Sequence, residues 1–183
     1  TEVHMVAGIH PTMPYEYYLD VVRAAKRARP DIHVKAFTMV EIDHMLKISG
    51  KSEDEVFADL REAGLGSCPG GGAEVLVDRV HKAVFREKQG PQGWLDTARK
   101  VQKAGFKMNA TMLYGHIERT DERVTHLIKL RELQDECGGF MAYIPLAFWP
   151  YHTDLANFGH VTTGHLDQRS IAVGRLMLDN FPH

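Results

Sequence analysis

The stretch FKMNATML, residues 106–113, reads as a β-strand whose two faces differ. One face carries apolar side chains, namely Phe106, Met108, Ala110 and Met112. The other face is mixed, with Lys107, Asn109, Thr111 and Leu113. Parallel strands covered by helices on both faces are usually apolar throughout. A polar face is typical of a barrel that holds a polar pocket, so the strand favours a barrel over a doubly wound sheet.

Strands and helices alternate on both sides of this stretch. Strands are predicted at residues 3–7, 32–37, 65–67, 106–112 and 141–147. The intervening segments have apolar residues at helical spacing, and one of them opens with a capping box, Ser52 to Glu55, and closes at Gly64. This alternation predicts an α/β fold in which helical crossovers connect parallel strands.

Composition limits the class of protein. The chain has 183 residues, of which 44% are hydrophobic and 25% charged, with a net charge of −2. These values predict one domain, residues 1–183, with a sizeable core. No basic run, no membrane-length apolar run and no signal peptide is visible, which argues against nucleic acid and membrane as partners. Two distant cysteines fit a reducing compartment, so we expect a cytoplasmic location. Oligomeric state is not predicted.

The carboxyl ends of the predicted strands carry unusual residues. In (β/α) barrels these ends form the functional rim. Here they are rich in glycine, proline and polar groups, at residues 8–11, 38–41, 69–74, 114–118 and 145–149. Five such ends on one rim predict a single cleft.

The loop SCPGGGAEVL, residues 67–76, places three glycines after a proline. Glycines accept positive φ and leave backbone N–H groups unshielded. A helix predicted to begin near Ala73 or Glu74 would add a positive N-terminus, suited to an anionic or polar part of a cofactor. The loop matches neither GxGxxG nor GxxxxGK[ST], which argues against nucleotide sites of those kinds. A plain tight turn without a ligand remains the alternative.

Eleven histidines raise the alternative of a metallohydrolase. His10 and His116 lie at predicted strand ends. Three carboxylates share such ends: Glu41, Glu74 and Glu118. No HxH or HExxH spacing supports a metal site, however, and other histidines, including His81 and His126, are predicted to lie on surfaces or in loops.

Five segments resemble the menaquinone-biosynthesis branch of the radical S-adenosylmethionine enzymes. They are AGIHP, DIHVKAFTMVEI, PGGGAEVL, NATMLYGHIE and LRELQDECGGFMAYIPLAF, and the resemblance runs along nearly the whole chain. Within the branch, NATMLYGHIE and IPLAF are most similar to the aminofutalosine synthases. Cyclic dehypoxanthine futalosine synthases and deazaflavin-cofactor synthases are the alternatives.

This resemblance implies a partial (β/α) TIM-type barrel that works with S-adenosylmethionine and a [4Fe–4S] cluster. In aminofutalosine synthases a 5′-deoxyadenosyl radical adds to the vinyl carbon of 3-[(1-carboxyvinyl)oxy]benzoate, and rearrangement with loss of the carboxylate gives aminofutalosine. The implied partners are this small-molecule substrate and a reductant such as flavodoxin or ferredoxin. The cofactor performs the difficult chemistry while the protein binds and orients the cofactor and the substrate.

The resemblance also implies site residues, although it names no catalytic residue and no metal ligand. The expected cofactor contacts are Gly8, Ile9, His10, Pro11, Gly70, Gly71, Gly72 and Glu74. The expected substrate contacts are Glu41, at the second strand end, and Asn109, Thr111, Tyr114, His116 and Glu118. Ala7 stands where the family usually has glycine. For His116, bracing of its loop is the alternative to ligand contact.

One departure from the family concerns the iron–sulfur cluster. The family holds its cluster through CxxxCxxC after the first strand, and these 183 residues contain no such motif. Cys68, expected near the cleft, and Cys137 are too distant to replace three thiolates. We therefore expect an internal fragment of a single barrel domain, without its first strand and cluster loop and inactive alone. The non-enzymatic alternative is an inert, binding-only remnant.

Overall fold

The computed structural model describes residues 1–86, 88–153, 156–158 and 161–183. Its strands form one parallel sheet in the order of the chain. They are β1 (Glu2–Met5), β2 (His33–Ala36), β3 (Leu65–Cys68), β4 (Lys107–Tyr114) and β5 (Phe140–Ala147). The five predicted strands and their parallel pairing are thereby confirmed.

Helices connect successive strands, and one more helix follows the last strand. They are α1 (Tyr15–Ala28), α2 (Met39–Ile48), α3 (Glu53–Ala63), α4 (Asp78–Val84), α5 (Pro91–Lys103), α6 (Thr120–Cys137) and α7 (Gly164–Met177), with a short 3-10 turn at Ala156–Phe158. Each crossover from one strand to the next therefore contains at least one helix, as is usual between parallel strands.

The sheet has one covered face and one open face. Val34, Ala36, Met108 and Ala110 are fully buried in the core that the sheet shares with its helices. Side chains alternate along a strand, so the intervening residues, such as His33 and those at 107, 109 and 111, lie on the opposite, concave face. The sheet curls into a half-barrel with the helices outside, which confirms the barrel over a doubly wound sheet.

Helix α2 was not expected from the sequence. Residues 38–41 were expected to form a strand end, but Thr38 is the N-cap of α2. The Glu41 carboxylate accepts hydrogen bonds from the Thr38 N–H (2.8 Å) and hydroxyl (2.9 Å). Thr-x-x-Glu is the capping-box spacing, and here it starts a helix directly after β2.

The helix expected near Ala73 or Glu74 begins later, at Asp78. Val75 and Leu76 are fully buried, and Glu74 has a left-handed φ of +49°. The chain therefore leaves the glycines in an irregular path that places two apolar side chains in the core. This prediction was wrong, and with it the idea that a helix N-terminus meets the glycine loop.

In the described ranges, no helix combines the length and the apolar character needed to cross a bilayer.

Candidate functional site

A cavity of about 340 Å³ lies at the carboxyl end of β1. Its lining includes Gly8, His10, Phe37 and Glu41. A Cβ placed on Gly8 would meet no atom within 4 Å, so the backbone there is open to an approaching group. Pockets for small ligands begin at about 300 Å³. The structure thus brings together part of the predicted cofactor set and one predicted substrate residue, while residues 9 and 11 beside them are exposed.

Glu41 links this cavity to helix α2. Its side chain is 2% exposed and accepts a hydrogen bond from the Ala7 N–H (3.3 Å) in addition to the two from Thr38. One carboxylate therefore fixes the loop after β1 against the start of α2. The geometry shows this positioning role, and contact with substrate stays a prediction.

Packing inside the protein explains the first glycine of the loop. A Cβ on Gly70 would lie 2.6 Å from the Asn109 carbonyl oxygen of β4. The Thr111 hydroxyl donates to the Gly70 carbonyl (2.6 Å), and the Trp94 indole N–H donates to the Gly71 carbonyl (3.1 Å). The backbone that approaches Gly70 so closely is that of β4. This observation supports the turn alternative at that position.

Two buried histidines hold the segment after the glycines. The His81 Nε2 lies 3.0 Å from the Ala73 carbonyl, and the His126 Nδ1 accepts from the Leu76 N–H (3.1 Å). Lys129 donates to the Leu76 carbonyl (2.8 Å). His81 is 3% exposed and His126 is fully buried, so their predicted surface location was wrong. The backbone partner of His126 is 50 residues away in sequence, so no local pattern could have revealed it.

Acid should weaken the fold through His126. Burial lowers the pKa of His126 from the ordinary 6.5 to about 3. Below pH 6.5 His126 is therefore protonated in the unfolded chain but not in the folded chain. The free energy of unfolding falls by at most about 1.4 kcal/mol per pH unit until about pH 3. Urea unfolding at pH 7 and pH 5 measures this loss.

The variant His126→Asn keeps an acceptor for the Leu76 N–H and should show a smaller loss of stability between the two pH values. Replacing His4, which is exposed, with Gln is the matched control and should leave the wild-type loss intact. An equal pH dependence in His126→Asn and the wild type would contradict the assignment.

Strand β4 divides its predicted site residues between two faces. Asn109 and Thr111 alternate with the core residues and lie on the concave face. Tyr114 is 2% exposed, and its hydroxyl donates to Asp167 of α7 (2.8 Å). Burial, with Asp167 beside it, raises the pKa of Tyr114 to about 12. Tyr114 therefore joins β4 to α7 on the side away from the concave face.

The loop after β4 is braced by His116 and Glu118. The imidazole of His116 lies edge-on to Phe85 and Phe148, at centroid distances of 5.6 and 5.8 Å, and burial lowers its pKa. Its Nε2 lies 2.9 Å from the Leu113 carbonyl. The Glu118 carboxylate accepts from the N–H groups of residues 115 and 116 (2.7 and 2.9 Å). Both side chains are fully buried, and this geometry supports the bracing alternative for His116.

Comparison with known proteins gives a clear similarity. No family model matches the chain. An aminodeoxyfutalosine synthase of Thermus thermophilus is 51% identical over 186 residues, covering 100% of this chain and 50% of the relative. An aminodeoxyfutalosine synthase of Streptomyces coelicolor is 40% identical over 193 residues, covering 100% of this chain and 50% of that relative. This chain is homologous to aminodeoxyfutalosine synthases over its whole length. It spans about half the length of these relatives.

The chain is also similar to a second class of enzyme and to a solved structure. A 5-amino-6-(D-ribitylamino)uracil–L-tyrosine 4-hydroxyphenyl transferase of Methanococcoides burtonii is 34% identical, covering 98% of this chain and 52% of the relative. Among solved structures, methylornithine synthase (PylB) superposes with a TM-score of 0.66 at 15% identity, over 98% of this chain and 48% of that one. The latter similarity concerns the fold alone.

The described residues do not fit an iron–sulfur cluster of the kind expected for an aminodeoxyfutalosine synthase. Among them no group of three potential metal ligands occurs, for a cluster or for the metallohydrolase alternative. Cys68 is fully buried in the core, not at the cleft as expected, and burial raises its thiol pKa to about 12. Cys137 ends α6, at the entry to β5 and so at the opposite end of the sheet. No reaction step through a cluster can be assigned to these two thiols.

Proposed function

We propose that this chain forms half of a radical S-adenosylmethionine enzyme that makes aminodeoxyfutalosine, the product called aminofutalosine above, from 3-[(1-carboxyvinyl)oxy]benzoate. The observation that carries the proposal is the 51% identity to an aminodeoxyfutalosine synthase across the entire chain. The similarity to the 4-hydroxyphenyl transferases, at 34–37% identity, is weaker and makes deazaflavin-related chemistry the second candidate.

The residues of this chain would bind and orient S-adenosylmethionine and the substrate. The open backbone at Gly8, with its neighbours up to Pro11, lines or borders the cavity after β1 and is proposed to contact S-adenosylmethionine. Asn109 and Thr111 lie on the concave face, where a substrate above the sheet would meet them. When bound, the cofactor supplies the adenosyl radical, and the protein excludes water and fixes geometry. We place the enzyme in the cytoplasm, with a flavodoxin or ferredoxin as the electron donor.

Genetic complementation tests this function. The gene of the complete protein should restore menaquinone synthesis to a bacterium whose aminodeoxyfutalosine synthase gene has been deleted. A matched plasmid that carries the gene of a 4-hydroxyphenyl transferase should not restore it. Failure of the first plasmid despite normal expression would contradict the proposal.

The chain of 183 residues should not assemble a cluster by itself. Anaerobic incubation with iron and sulfide should give no stable [4Fe–4S] absorbance, because Cys68 is buried in the core and Cys137 lies at the far end of α6. The complete protein is the matched sample and should develop the absorbance. A stable cluster on the 183-residue chain, with cleavage of S-adenosylmethionine, would show that the cluster ligands lie within it.

A further inference from the structure

A cluster of polar side chains lies on the concave face of β1, β2 and β3. Strand pairing sets Glu2 beside His33 and His4 beside Lys35. Lys35 in turn lies beside Ser67. Val34 and Ala36 point into the helix-covered core, so His33 and Lys35 point to the open face.

The contacts within this cluster form a carboxylate site that the protein itself fills. The Lys35 ammonium lies 3.0 Å from the Glu2 Oε1, and the His33 Nε2 lies 3.7 Å from the Glu2 Oε2. His33 is fixed by Ser67 (2.8 Å). Its ring lies across Gly66, where a Cβ would come within 2.5 Å of the ring. The Glu2 carboxylate, 41% exposed, thus stands between an ammonium and an imidazole.

Folding alone gives little reason for a lysine at this position. A partly exposed ion pair contributes at most about 1 kcal/mol, and the Lys35 side chain is only 12% exposed. Lys35 is the penultimate residue of β2, close to the rim where (β/α) barrels hold their ligands. A cation at such a place suits an anionic ligand above the sheet.

Three other cations, one on the concave face and two at the rim, have partners elsewhere in the protein. Lys107, on the same face of β4, donates to the Gly138 carbonyl (2.9 Å) at the amino end of the sheet. At the rim, Lys88 pairs with Glu74, and Arg123 pairs with Glu118. The partners of these two rim cations are largely buried, whereas the partner of Lys35, Glu2, is 41% exposed and both face the open side of the sheet.

We infer that Lys35, with His33 beside it, binds a carboxylate of the substrate in exchange for Glu2. The inference rests on the proposed function, whose substrate carries a benzoate and an enol-ether carboxylate. An ammonium that donates to a carboxylate makes a charge-assisted hydrogen bond, the stronger kind in proteins. Lys35 is a substrate-binding residue in this account and takes no part in bond cleavage.

Calorimetric titration of the complete protein with 3-(carboxymethoxy)benzoate tests the site. This probe keeps both carboxylates and the ether oxygen but lacks the methylene carbon of the vinyl group, so it cannot react. Lys35→Met should weaken its binding roughly 10- to 100-fold, the loss expected for one hydrogen bond to a charged group. Lys47→Met is the matched control, because Lys47 is 70% exposed on α2 and, within the described part of the chain, pairs with Asp43 alone, and this variant should bind the probe as the wild type does.

Glu2→Gln provides an independent arm should Lys35→Met fail to fold. Removal of the competing carboxylate should tighten binding of the probe severalfold, and unchanged or weaker binding would overturn the inference. Wild-type affinity in a folded Lys35→Met protein would overturn it as well.

Turnover separates this inference from the proposed function. If product forms and Lys35→Met raises the KM for substrate more than it lowers kcat, both stand. If product forms with an unchanged KM, the carboxylate site fails and the function stands. If no aminodeoxyfutalosine forms but the probe binds through Lys35, the proposed function fails and the site stands.

Discussion

Replacing Gly70 with alanine will cost the protein about 3 kcal/mol of stability or more, a large part of the 5–15 kcal/mol typical of a domain. The new Cβ would lie 2.6 Å from the Asn109 carbonyl oxygen and 2.9 Å from the carbonyl carbon of Ala110. Both atoms belong to the backbone of β4, which cannot move aside without disturbing its pairing with β3 and β5. Urea unfolding followed by circular dichroism measures the loss.

Gly90→Ala is the matched control for this substitution. Gly90 precedes α5, where a Cβ would meet nothing within 4 Å, and its φ of −66° suits any residue. This variant should stay within about 1 kcal/mol of the wild type. If Gly70→Ala unfolds at the same urea concentration as Gly90→Ala, the close approach of the glycine loop to β4 is incorrect.

Replacing Glu118 with glutamine will cost about 3–5 kcal/mol, as expected when one partner of a buried ion pair is removed. The carboxylate is fully buried and pairs with Arg123, whose side chain is 17% exposed (2.6 Å). It also accepts two backbone N–H groups of the loop after β4. A neutral amide would leave the guanidinium without its counter-ion and would place an N–H₂ group against a donor. Thermal unfolding of the variant measures the effect.

Asp121→Asn tests whether burial is the cause of the large loss of stability expected for Glu118→Gln. Asp121 pairs with Arg119 at 3.2 Å, but its side chain is 70% exposed, so this change should cost about 1 kcal/mol or less. Similar melting temperatures for Glu118→Gln and Asp121→Asn would mean that Glu118 does not brace the loop. Its predicted contact with substrate would then become the better explanation of its place at the rim.

Much of the fold could be predicted because strands leave a local signature. In β4 the alternation of Met108, Ala110 and Met112 with polar neighbours revealed both the strand and its open face. Helix α2 escaped prediction because residues 36–42 are largely apolar, and the capping box of Thr38 and Glu41 was read as the polar end of a strand.

The site was less predictable, because its contacts join distant segments. Three glycines in sequence show that something approaches the backbone, but only the structure identifies β4 as the neighbour of Gly70. His126 meets Leu76, 50 residues away, and Lys35 meets Glu2, 33 residues away. Neither spacing has a periodic signature, so sequence patterns placed residues at the rim without showing which of them are already paired.

Product analysis of the complete protein tests the central claim most directly. The protein should be incubated anaerobically with S-adenosylmethionine, a reductant and 3-[(1-carboxyvinyl)oxy]benzoate, and in parallel with tyrosine and 5-amino-6-(D-ribitylamino)uracil in place of the benzoate. Mass spectrometry should detect aminodeoxyfutalosine in the first reaction and no 4-hydroxyphenyl transfer in the second. Transfer in the second reaction without aminodeoxyfutalosine in the first would contradict the account.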